Sequence, residues 1–552
     1  MGRWAGVLLL ACALLPFATT RDFPFVHDDH DLRGPGSLSA DPRADVGLLL
    51  RADVFGSVER PWGQSGFWRP AVLALFRAEW WLTDGVPVAH AWLAHVVNLL
   101  LHLLATYGLA RLLMALGWQP ALAAGAAALF GASPVHVESV AWASGHGDPG
   151  SAACGFLAAA LLVGGRRPRD ELLAAGLLLL ALLFKESGAL LLGLAAALAW
   201  CTGQPLRRAF RAPVVASLVY VALRAALFHE GHDATAWTGP AEASQRWLTW
   251  LSILPDVVRL SLWPGAATPL HPVAAATGWS SPGVAPGLAV LLLLVGLTSL
   301  AATRRVPAAL LAVLALLGTA FLLAPFTRVP LGFRELAAPL AERHLYVAAL
   351  AGPVALGAAL RRRAEGAPAA TLAAAALLAL PLGLAARGRC VAFSSDEAFA
   401  RTALQVAPDS ADLWNHLGVA LLEQYRDGNA PAGVQALDAF DQALQRAPGE
   451  LRPALNRFIM LALLGRQDDA AGDARRLLQH FPDEPGVLDN VAHWHMGSGR
   501  PREAASLLQR ELATGRALPG AEAALSECLH ALQAQQPQPP APPAGAGAEG
   551  GT

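Results

Sequence analysis

The sequence begins with an apolar run that ends in a cluster of charges, WAGVLLLACALLPFATTRDFPFVHDDHD at residues 4–31. Residues 4–18 carry no charged side chain, which is typical of a helix that enters a lipid bilayer. Residues 22–31 then hold four carboxylates and two imidazoles. Ionised groups this close to hydrocarbon are costly unless they are hydrated or paired, so the cluster is a candidate functional site. A solvated loop beside the membrane is the alternative.

Composition extends this interpretation to the rest of the chain. Of its 552 residues, 54% are hydrophobic and 15% are charged, and the mean hydropathy is +0.41. These values are typical of a polytopic membrane protein and not of a soluble one. The net charge of -1 gives no reason to expect a nucleic-acid partner. Five cysteines without a CxxC motif predict neither a disulfide framework nor a zinc site.

Apolar runs long enough for a tilted membrane helix recur along the chain, and they predict an all-α fold with about eleven spans. The runs after the first begin near His90, Pro120, Ser151, Glu171, Ser187, Ala212, Gly287, Val306, Leu345 and Thr371. The first run is predicted to be an uncleaved span, because no clean A-x-A site follows it; a cleaved signal peptide is the alternative. Residues 246–263 are rich in Trp and contain Asp256 and Arg259, which predicts an interfacial or re-entrant helix.

Clusters of arginine predict the orientation, because short cytoplasmic loops collect positive charge. With the N-terminus inside, the cytoplasmic connections hold the arginines within residues 111, 166–169, 207–211, 304–305 and 361–363. The same topology gathers the polar segments outside, at residues 21–69, 135–148, 185–186, 229–286 and 326–343. Such segments can converge on one cavity, which is the geometry of an active site that faces away from the cytoplasm.

The character of the chain changes after residue 389, where charged amphipathic helices replace the apolar runs. Pro448 and Pro482 each close a helix and are 34 residues apart, the period of a tetratricopeptide repeat. We therefore predict a membrane domain at residues 1–389, a tetratricopeptide-repeat α-solenoid at 390–532 and a disordered Pro/Gly-rich tail at 533–552. A plain helical bundle in place of the repeats is the alternative.

Seven short motifs occur in order along the predicted membrane domain, residues 1–389. They are Phe25-Val26-His27-Asp28-Asp29; Trp68-Arg69-Pro70; His90 with Asn98 and His102; Pro134-Val135-His136-Val137-Glu138-Ser139-Val140-Ala141; Gly145-His146-Gly147-Asp148; Lys185-Glu186; and Ala341-Glu342-Arg343-His344-Leu345-Tyr346. In this order they resemble the transmembrane and tetratricopeptide-repeat O-mannosyltransferase family. His146 stands where the GRAD motif of that family has arginine. The resemblance implies a GT-C fold, a sugar donor linked to a lipid phosphate, and transfer to an acceptor hydroxyl on the non-cytoplasmic side.

Sugar transfer from a polyprenyl phosphate needs particular side chains at the level of the lipid head groups. A carboxylate must take the proton of the acceptor hydroxyl, and Asp28 or Asp29 is the predicted catalytic base. The leaving phosphate gains negative charge and needs fixed cations in a medium of low dielectric constant. Three residues are the candidates for binding the donor lipid phosphate, in the order Arg343, Arg69, Lys185.

A second polar group is predicted to hold the base or the acceptor, and it consists of His136, Glu138 and Asp148. These residues predict no cofactor and no metal site. A divalent ion bound by His136 and Glu138 with Asp28 or Asp29 is the alternative, although side chains two residues apart on a helix diverge.

The sequence thus predicts an integral-membrane glycosyltransferase. It would move a sugar, with mannose as a candidate, from a polyprenyl-phosphate donor to a hydroxyl, on Ser or Thr of a protein acceptor bound through the repeats. A non-catalytic membrane scaffold and an envelope polysaccharide polymerase or ligase are the alternatives; a transporter is disfavoured, because the polar residues gather at span ends. Lys185 is the only lysine in a chain rich in Arg, Ala, Gly and Pro, which indicates a GC-rich coding bias and hence a bacterial source. The predicted location is then a bacterial inner membrane, with the site and the repeats on the periplasmic side.

Overall fold

The structure, a computed structural model, describes residues 2–34, 37–57, 65–165, 167–228, 243–263, 271, 276–323 and 340–534. These residues form helices joined by turns, and no β-strand occurs among them, which confirms the all-α prediction. The chain divides into two compact units, Met1–Pro408 and Asp409–Thr552. The domain boundary at residue 389 stays a prediction.

The α-helices described in the first unit are amphipathic or wholly apolar, and several begin with Pro, whose missing N–H needs no partner in the first turn. In chain order they are α1 (Arg3–Leu14), α2 (Asp29–Arg33), α3 (Val46–Leu49), α4 (Pro70–Leu82), α5 (Pro87–Ala115), α6 (Pro120–Gly131), α7 (Val137–Ala141), α8 (Gly147–Gly164), α9 (Pro168–Phe184), α10 (Gly188–Cys201), α11 (Leu206–Leu227), α12 (Ala243–Leu262), α13 (Val284–Thr303), α14 (Pro307–Leu323), α15 (Ala351–Ala364), α16 (Pro368–Cys390) and α17 (Asp396–Leu404). Short 3₁₀ turns lie at Ala18–Asp22, Pro134–His136, Glu342–Leu345, Ala348–Leu350 and Val391–Phe393.

Helix α8 lies at the centre of the first unit, where it packs against α5, α9 and α10. Small residues allow this close approach. A Cβ added to Gly155 of α8 would lie 2.5 Å from the side chain of Leu191 in α10. One added to Gly108 of α5 would lie 3.2 Å from the Cβ of Phe156. Glycine is therefore required at the crossing with α10, and a larger residue there would force the two helices apart.

Five described helices are long and apolar enough to cross a membrane: α5, α8, α11, α13 and the segment Pro368–Phe393. The count is six if Pro120–Gly131 and Pro134–Ala141, which meet at a bend of 49°, form one broken span. Shorter apolar helices occur at Arg3–Leu14, Gly188–Cys201 and Pro307–Leu323. Every run predicted as a span lies on one of the helices, so a helical membrane protein is supported, and the number of spans stays a prediction.

The bend between α6 and α7 carries part of the predicted site. Helix α6 ends at Gly131, a 3₁₀ turn begins at Pro134, and α7 begins at Val137. Pro134 lacks an N–H and cannot continue the hydrogen bonds of α6, so the chain turns here. The interfacial prediction for residues 246–263 falls on α12, whose Trp250 indole donates to the Ala320 carbonyl at 2.6 Å.

The second unit is a series of helices that pack in consecutive pairs, α18 on α19, α20 on α21 and α22 on α23. Its helices are α18 (Ala411–Arg426), α19 (Ala430–Arg446), α20 (Leu451–Leu463), α21 (Gln467–His480), α22 (Pro485–Gly497), α23 (Pro501–Ala513) and α24 (Ala521–Ala534). A Cβ on Gly418 would lie 2.4 Å from the Phe440 ring, so the first pair needs glycine at its crossing. Consecutive pairs of packed helices are compatible with tetratricopeptide repeats, and the assignment of this repeat type stays a prediction. Residues 535–552 of the predicted tail lie outside the described residues.

Candidate functional site

The eight predicted site residues of the first unit lie in the connections between helices or in the first turn of the helix that follows, as Glu138 does in α7 and Asp148 in α8. These connections are the link from α1 to α2, the start of α4, the turns between α6 and α8, the link from α9 to α10, and the 3₁₀ turn before α15. Hydrogen bonds and ion pairs join the connections to one another, as the following distances show. The structure therefore brings together segments that are far apart in sequence, such as those of Glu138 and Arg343, which are 205 residues apart.

Asp29 is the first residue of α2 and is fully buried. Its Oδ2 accepts a hydrogen bond from the backbone N–H of Val26 at 3.1 Å, and its Oδ1 accepts one from the Ser144 hydroxyl. Burial raises the pKa of the Asp29 carboxyl to about 6, although Arg33, Ser144 and the Val26 amide each act to lower it. Both oxygens thus have donors, and no surface of the side chain is open to a ligand.

Asp28 differs from its neighbour in exposure. Its side chain is 31% exposed, and one carboxylate oxygen lies 3.5 Å from Nε2 of His27. It is the N-cap residue of α2 but accepts no hydrogen bond there. Of the adjacent acids, Asp28 is the one that a ligand can reach.

Arg343 is the most exposed of the three predicted phosphate-binding cations, and it forms an ion pair with Glu138. Its backbone N–H donates to Oε2 of Glu138 at 2.8 Å, and its guanidinium also donates to the same carboxylate. The Arg343 side chain is 25% exposed, and its guanidinium carbon lies 5.8 Å from the centre of the Trp142 ring. Burial acts to lower the pKa of Arg343, but Glu138, and then Asp28 and Asp148, raise it above its ordinary value. These three carboxylates therefore lie within electrostatic reach of one guanidinium.

The other two predicted phosphate-binding residues are also paired with carboxylates. Nζ of Lys185 donates to Oδ2 of Asp148 at 2.6 Å, and Nη2 of Arg69 donates to Oε2 of Glu186 at 3.0 Å. Burial lowers the pKa of the Lys185 ammonium, and the Asp148 charge opposes that shift. The pairs hold the cations in fixed positions, as a site for an anionic ligand requires.

His136 points away from this polar cluster. The ring is fully buried between Phe130 and Tyr346, with centroid distances of 4.5 and 4.3 Å. Glu138, two residues later, faces Arg343 instead. The two side chains therefore diverge. Among the residues that the structure describes, no group of three or more His, Cys, Asp or Glu side chains is arranged to hold a metal ion.

A largely buried network centred on the fully buried Arg33 supports the loop that carries Asp28 and Asp29. Its Nη1 donates to Oε2 of Glu79 at 2.5 Å, and its Nη2 donates to the Ala143 carbonyl at 2.8 Å. Its Nε donates to the Ser144 hydroxyl at 3.2 Å, and Ser144 in turn donates to Asp29. The guanidinium carbon also lies 3.8 Å from the centre of the Phe76 ring. Arg33 is thus joined to Asp29 through one hydroxyl.

Glu79 balances the charge of Arg33. Nε2 of His146 lies 2.6 Å from its Oε1, so the carboxylate has partners on both oxygens. Burial acts to raise the pKa of Glu79, but His146 and Arg33 outweigh burial and lower it to about 2. Sequence reasoning missed both Arg33 and Glu79. The available signal was a carboxylate inside the apolar stretch of α4 and an arginine that closes the acidic stretch.

Comparison with known proteins supports part of the predicted relationship. Over 158 residues, 27% of this chain, the sequence is 34% identical to Protein O-mannosyl-transferase Tmtc1 of Drosophila melanogaster. Over 143 residues, 22% of this chain, it is 36% identical to Protein O-mannosyl-transferase Tmtc2 of the same organism. The matches cover 17% and 14% of those relatives, so the chain matches less than a fifth of their length. No protein-family profile matches the chain.

Proposed function

We propose that this protein is an integral-membrane glycosyltransferase that moves a sugar from a polyprenyl-phosphate donor to a Ser or Thr hydroxyl of a protein. The observation that carries the proposal is the partly open carboxylate of Asp28 within electrostatic reach of the Arg343 guanidinium, which is paired with Glu138, in a unit built of apolar helices. The partial similarity to two O-mannosyl-transferases supports the same reaction and makes mannose the first sugar to test.

Asp28 is the proton acceptor in this proposal. As the acceptor oxygen attacks the anomeric carbon of the sugar, its O–H proton passes to the Asp28 carboxylate. The bond between the anomeric carbon and the phosphate oxygen breaks, and the polyprenyl phosphate leaves with the electron pair. Asp29 has donors on both oxygens and is fully buried, so its role is to hold the loop that carries Asp28.

Arg343 binds the phosphate of the donor. Its side chain is more exposed than those of Arg69 and Lys185, which are 18% and 6% exposed. Glu138 orients the guanidinium without covering it, and a guanidinium can offer a second pair of N–H donors to phosphate oxygens. Negative charge that grows on the leaving phosphate is stabilised best by a cation already fixed in place.

The remaining elements of the proposal concern partners and location. Lys185, held by Asp148, adds positive potential behind Arg343, and Arg69 does so from the start of α4. The helix pairs of the second unit bind the protein acceptor, as the repeat prediction implies. The site faces the non-cytoplasmic side of a GT-C-type membrane domain, which for a bacterial source is the periplasm.

The direct test is transfer of radiolabelled sugar to membrane proteins from a panel of polyprenyl-phosphate sugars. Wild type is compared with the Asp28→Asn, Asp29→Asn double variant at matched expression. We expect label on protein Ser or Thr from one donor with wild type alone. Label found in polysaccharide would favour a polymerase or ligase, and no label from any donor would contradict the proposal and favour a non-catalytic scaffold.

A further inference from the structure

Helix α17 contacts the loop that carries the two acids. The chain leaves α16, passes through a 3₁₀ turn at Val391–Phe393 and begins α17 with Asp396. Oδ1 of Asp396 accepts a hydrogen bond from the backbone N–H of His27 at 2.7 Å. Its Oδ2 lies 2.9 Å from Nε2 of His30. One carboxylate thus holds the residue before Asp28 and the residue after Asp29.

The backbone at His27 needs such support. Its φ is +53°, in the left-handed region that non-glycine residues adopt infrequently. The imidazole stacks on Phe399 of α17, with ring centroids 4.9 Å apart and an angle of 26° between the planes. The same ring also stacks on Trp142, with ring centroids 6.4 Å apart. A hydrogen bond from its backbone N–H and two aromatic contacts therefore hold His27 in this conformation, which sets the position of Asp28.

Asp28 lies between two anchored points. On one side, Asp396 and Phe399 hold His27; on the other, Ser144 and the Val26 amide hold Asp29. Among the residues that the structure describes, the Asp28 carboxylate pairs with Nε2 of His27 alone, at 3.5 Å, so its position follows from the backbone on either side. Displacing either anchor would move the carboxylate without removing it.

We propose that Asp396 is a positioning residue, which acts on transfer through the backbone of His27 and so sets the direction of the Asp28 carboxylate. The inference rests on the proposed function. Capping of α17 does not account for Asp396, since the Ser395 hydroxyl accepts the cap bond from the Ala398 N–H at 3.1 Å. A misplacement of about 1 Å in a reacting group lowers turnover by about a hundredfold.

The test compares Asp396→Ala, Asp396→Asn and the control Glu397→Gln in the full-length chain. Glu397 is the next residue of the same helix and pairs with Arg401 of α17 at 2.7 Å. We expect Asp396→Ala to lower kcat by about a hundredfold with the KM of donor and acceptor unchanged. Asp396→Asn keeps an oxygen that accepts from the His27 amide, and we expect it to recover most of the lost turnover. The control keeps the wild-type rate.

A second measurement, independent of activity, is hydrogen–deuterium exchange of the backbone amides at residues 26–31. Faster exchange at His27 in Asp396→Ala, together with the selective loss of kcat, would support the inference. Unchanged exchange, or faster exchange with wild-type kcat, would overturn it. A proportional change in KM and thermal stability would overturn it as well, because that is the signature of a merely structural contact. Absence of transfer by wild type would count against the proposed function, and the exchange data would then decide alone whether Asp396 holds the loop.

Discussion

Arg33 and Arg343 use the same chemistry in opposite settings. Each guanidinium donates to a glutamate and lies near an aromatic ring, Phe76 for Arg33 and Trp142 for Arg343. The Arg33 side chain is 0% exposed, whereas the Arg343 side chain is 25% exposed. The buried Arg33–Glu79 pair can contribute only to folding, whereas the partly exposed Arg343 has N–H donors that a ligand can reach. Exposure, and not residue type, separates the part that holds the loop from the part proposed to do chemistry.

The same division applies to the adjacent acids. Asp29 is joined to the buried network through Ser144, whereas the partly exposed Asp28 lies within electrostatic reach of Arg343. If the division is right, substitutions in the buried network should change stability first, and substitutions of Asp28 or Arg343 should change transfer first. Variants in each group therefore test whether burial separates effects on stability from effects on transfer.

The largest effect on stability is expected from Arg33→Met. Removing the guanidinium leaves the buried Glu79 carboxylate with His146 but without the permanent charge of Arg33, which costs about 3–5 kcal/mol. Thermal unfolding in detergent measures the loss. Adding Glu79→Leu should restore much of it, because the buried charge then disappears. Arg21→Met is the matched control, since Arg21 is exposed and forms an exposed ion pair with the neighbouring Asp22. The comparison fails if the two arginine variants are equally stable.

The next effect is a pH dependence that belongs to Asp29. Its pKa is about 6 in the folded protein against an ordinary value of 3.8, so the folded state binds this proton more tightly. The stability gained from protonation is complete below pH 3.8 and is lost as pH rises through 6, by about 3 kcal/mol in total. Between pH 4 and 6.5, wild type should lose thermal stability relative to Asp29→Asn. Exposed Asp31→Asn should follow the wild-type slope, and a constant offset for Asp29→Asn at all pH values would contradict this assignment.

A smaller effect is expected from Arg343→Lys, which keeps the charge and loses the planar fork of donors. We expect kcat/KM for the polyprenyl-phosphate donor to fall by about tenfold, with thermal stability close to wild type. Arg51→Lys, at an exposed arginine, is the control. A loss of stability without a change in kcat/KM would show that Arg343 supports the fold, as Arg33 does, and does not bind the donor.

Much of the fold follows from the sequence because hydrophobic length and Pro positions act locally. Every run predicted as a span lies on a helix, and Pro134 marks the bend that separates α6 from α7. Whether each helix crosses a bilayer is a different question, since α6, α10 and α14 are short and their partners in the bundle determine how they are covered.

The sequence predicted which segments contribute to the site, but not which side chains within them would pair with one another. Asp28 and Arg343 stand out because charges beside apolar runs are costly. Their division of roles depends on burial, which is a property of the packed structure: Asp29 is adjacent to Asp28 in sequence and yet fully enclosed. Glu79 and Asp396 lay on helices whose contacts with the acidic loop arise only from tertiary packing, so their sequence context did not reveal them.

The most direct test of this division is the rate of sugar transfer per amount of folded protein for Asp28→Asn, measured beside Asp31→Asn. Asp28 is the N-cap residue of α2, and Asp31 lies in the same short helix and is exposed. We predict that Asp28→Asn lowers kcat by about 10²–10⁴-fold with unchanged thermal unfolding, as expected for loss of a general base, while Asp31→Asn transfers sugar at the wild-type rate. Wild-type turnover by Asp28→Asn, or a loss matched by Asp31→Asn, would contradict the account.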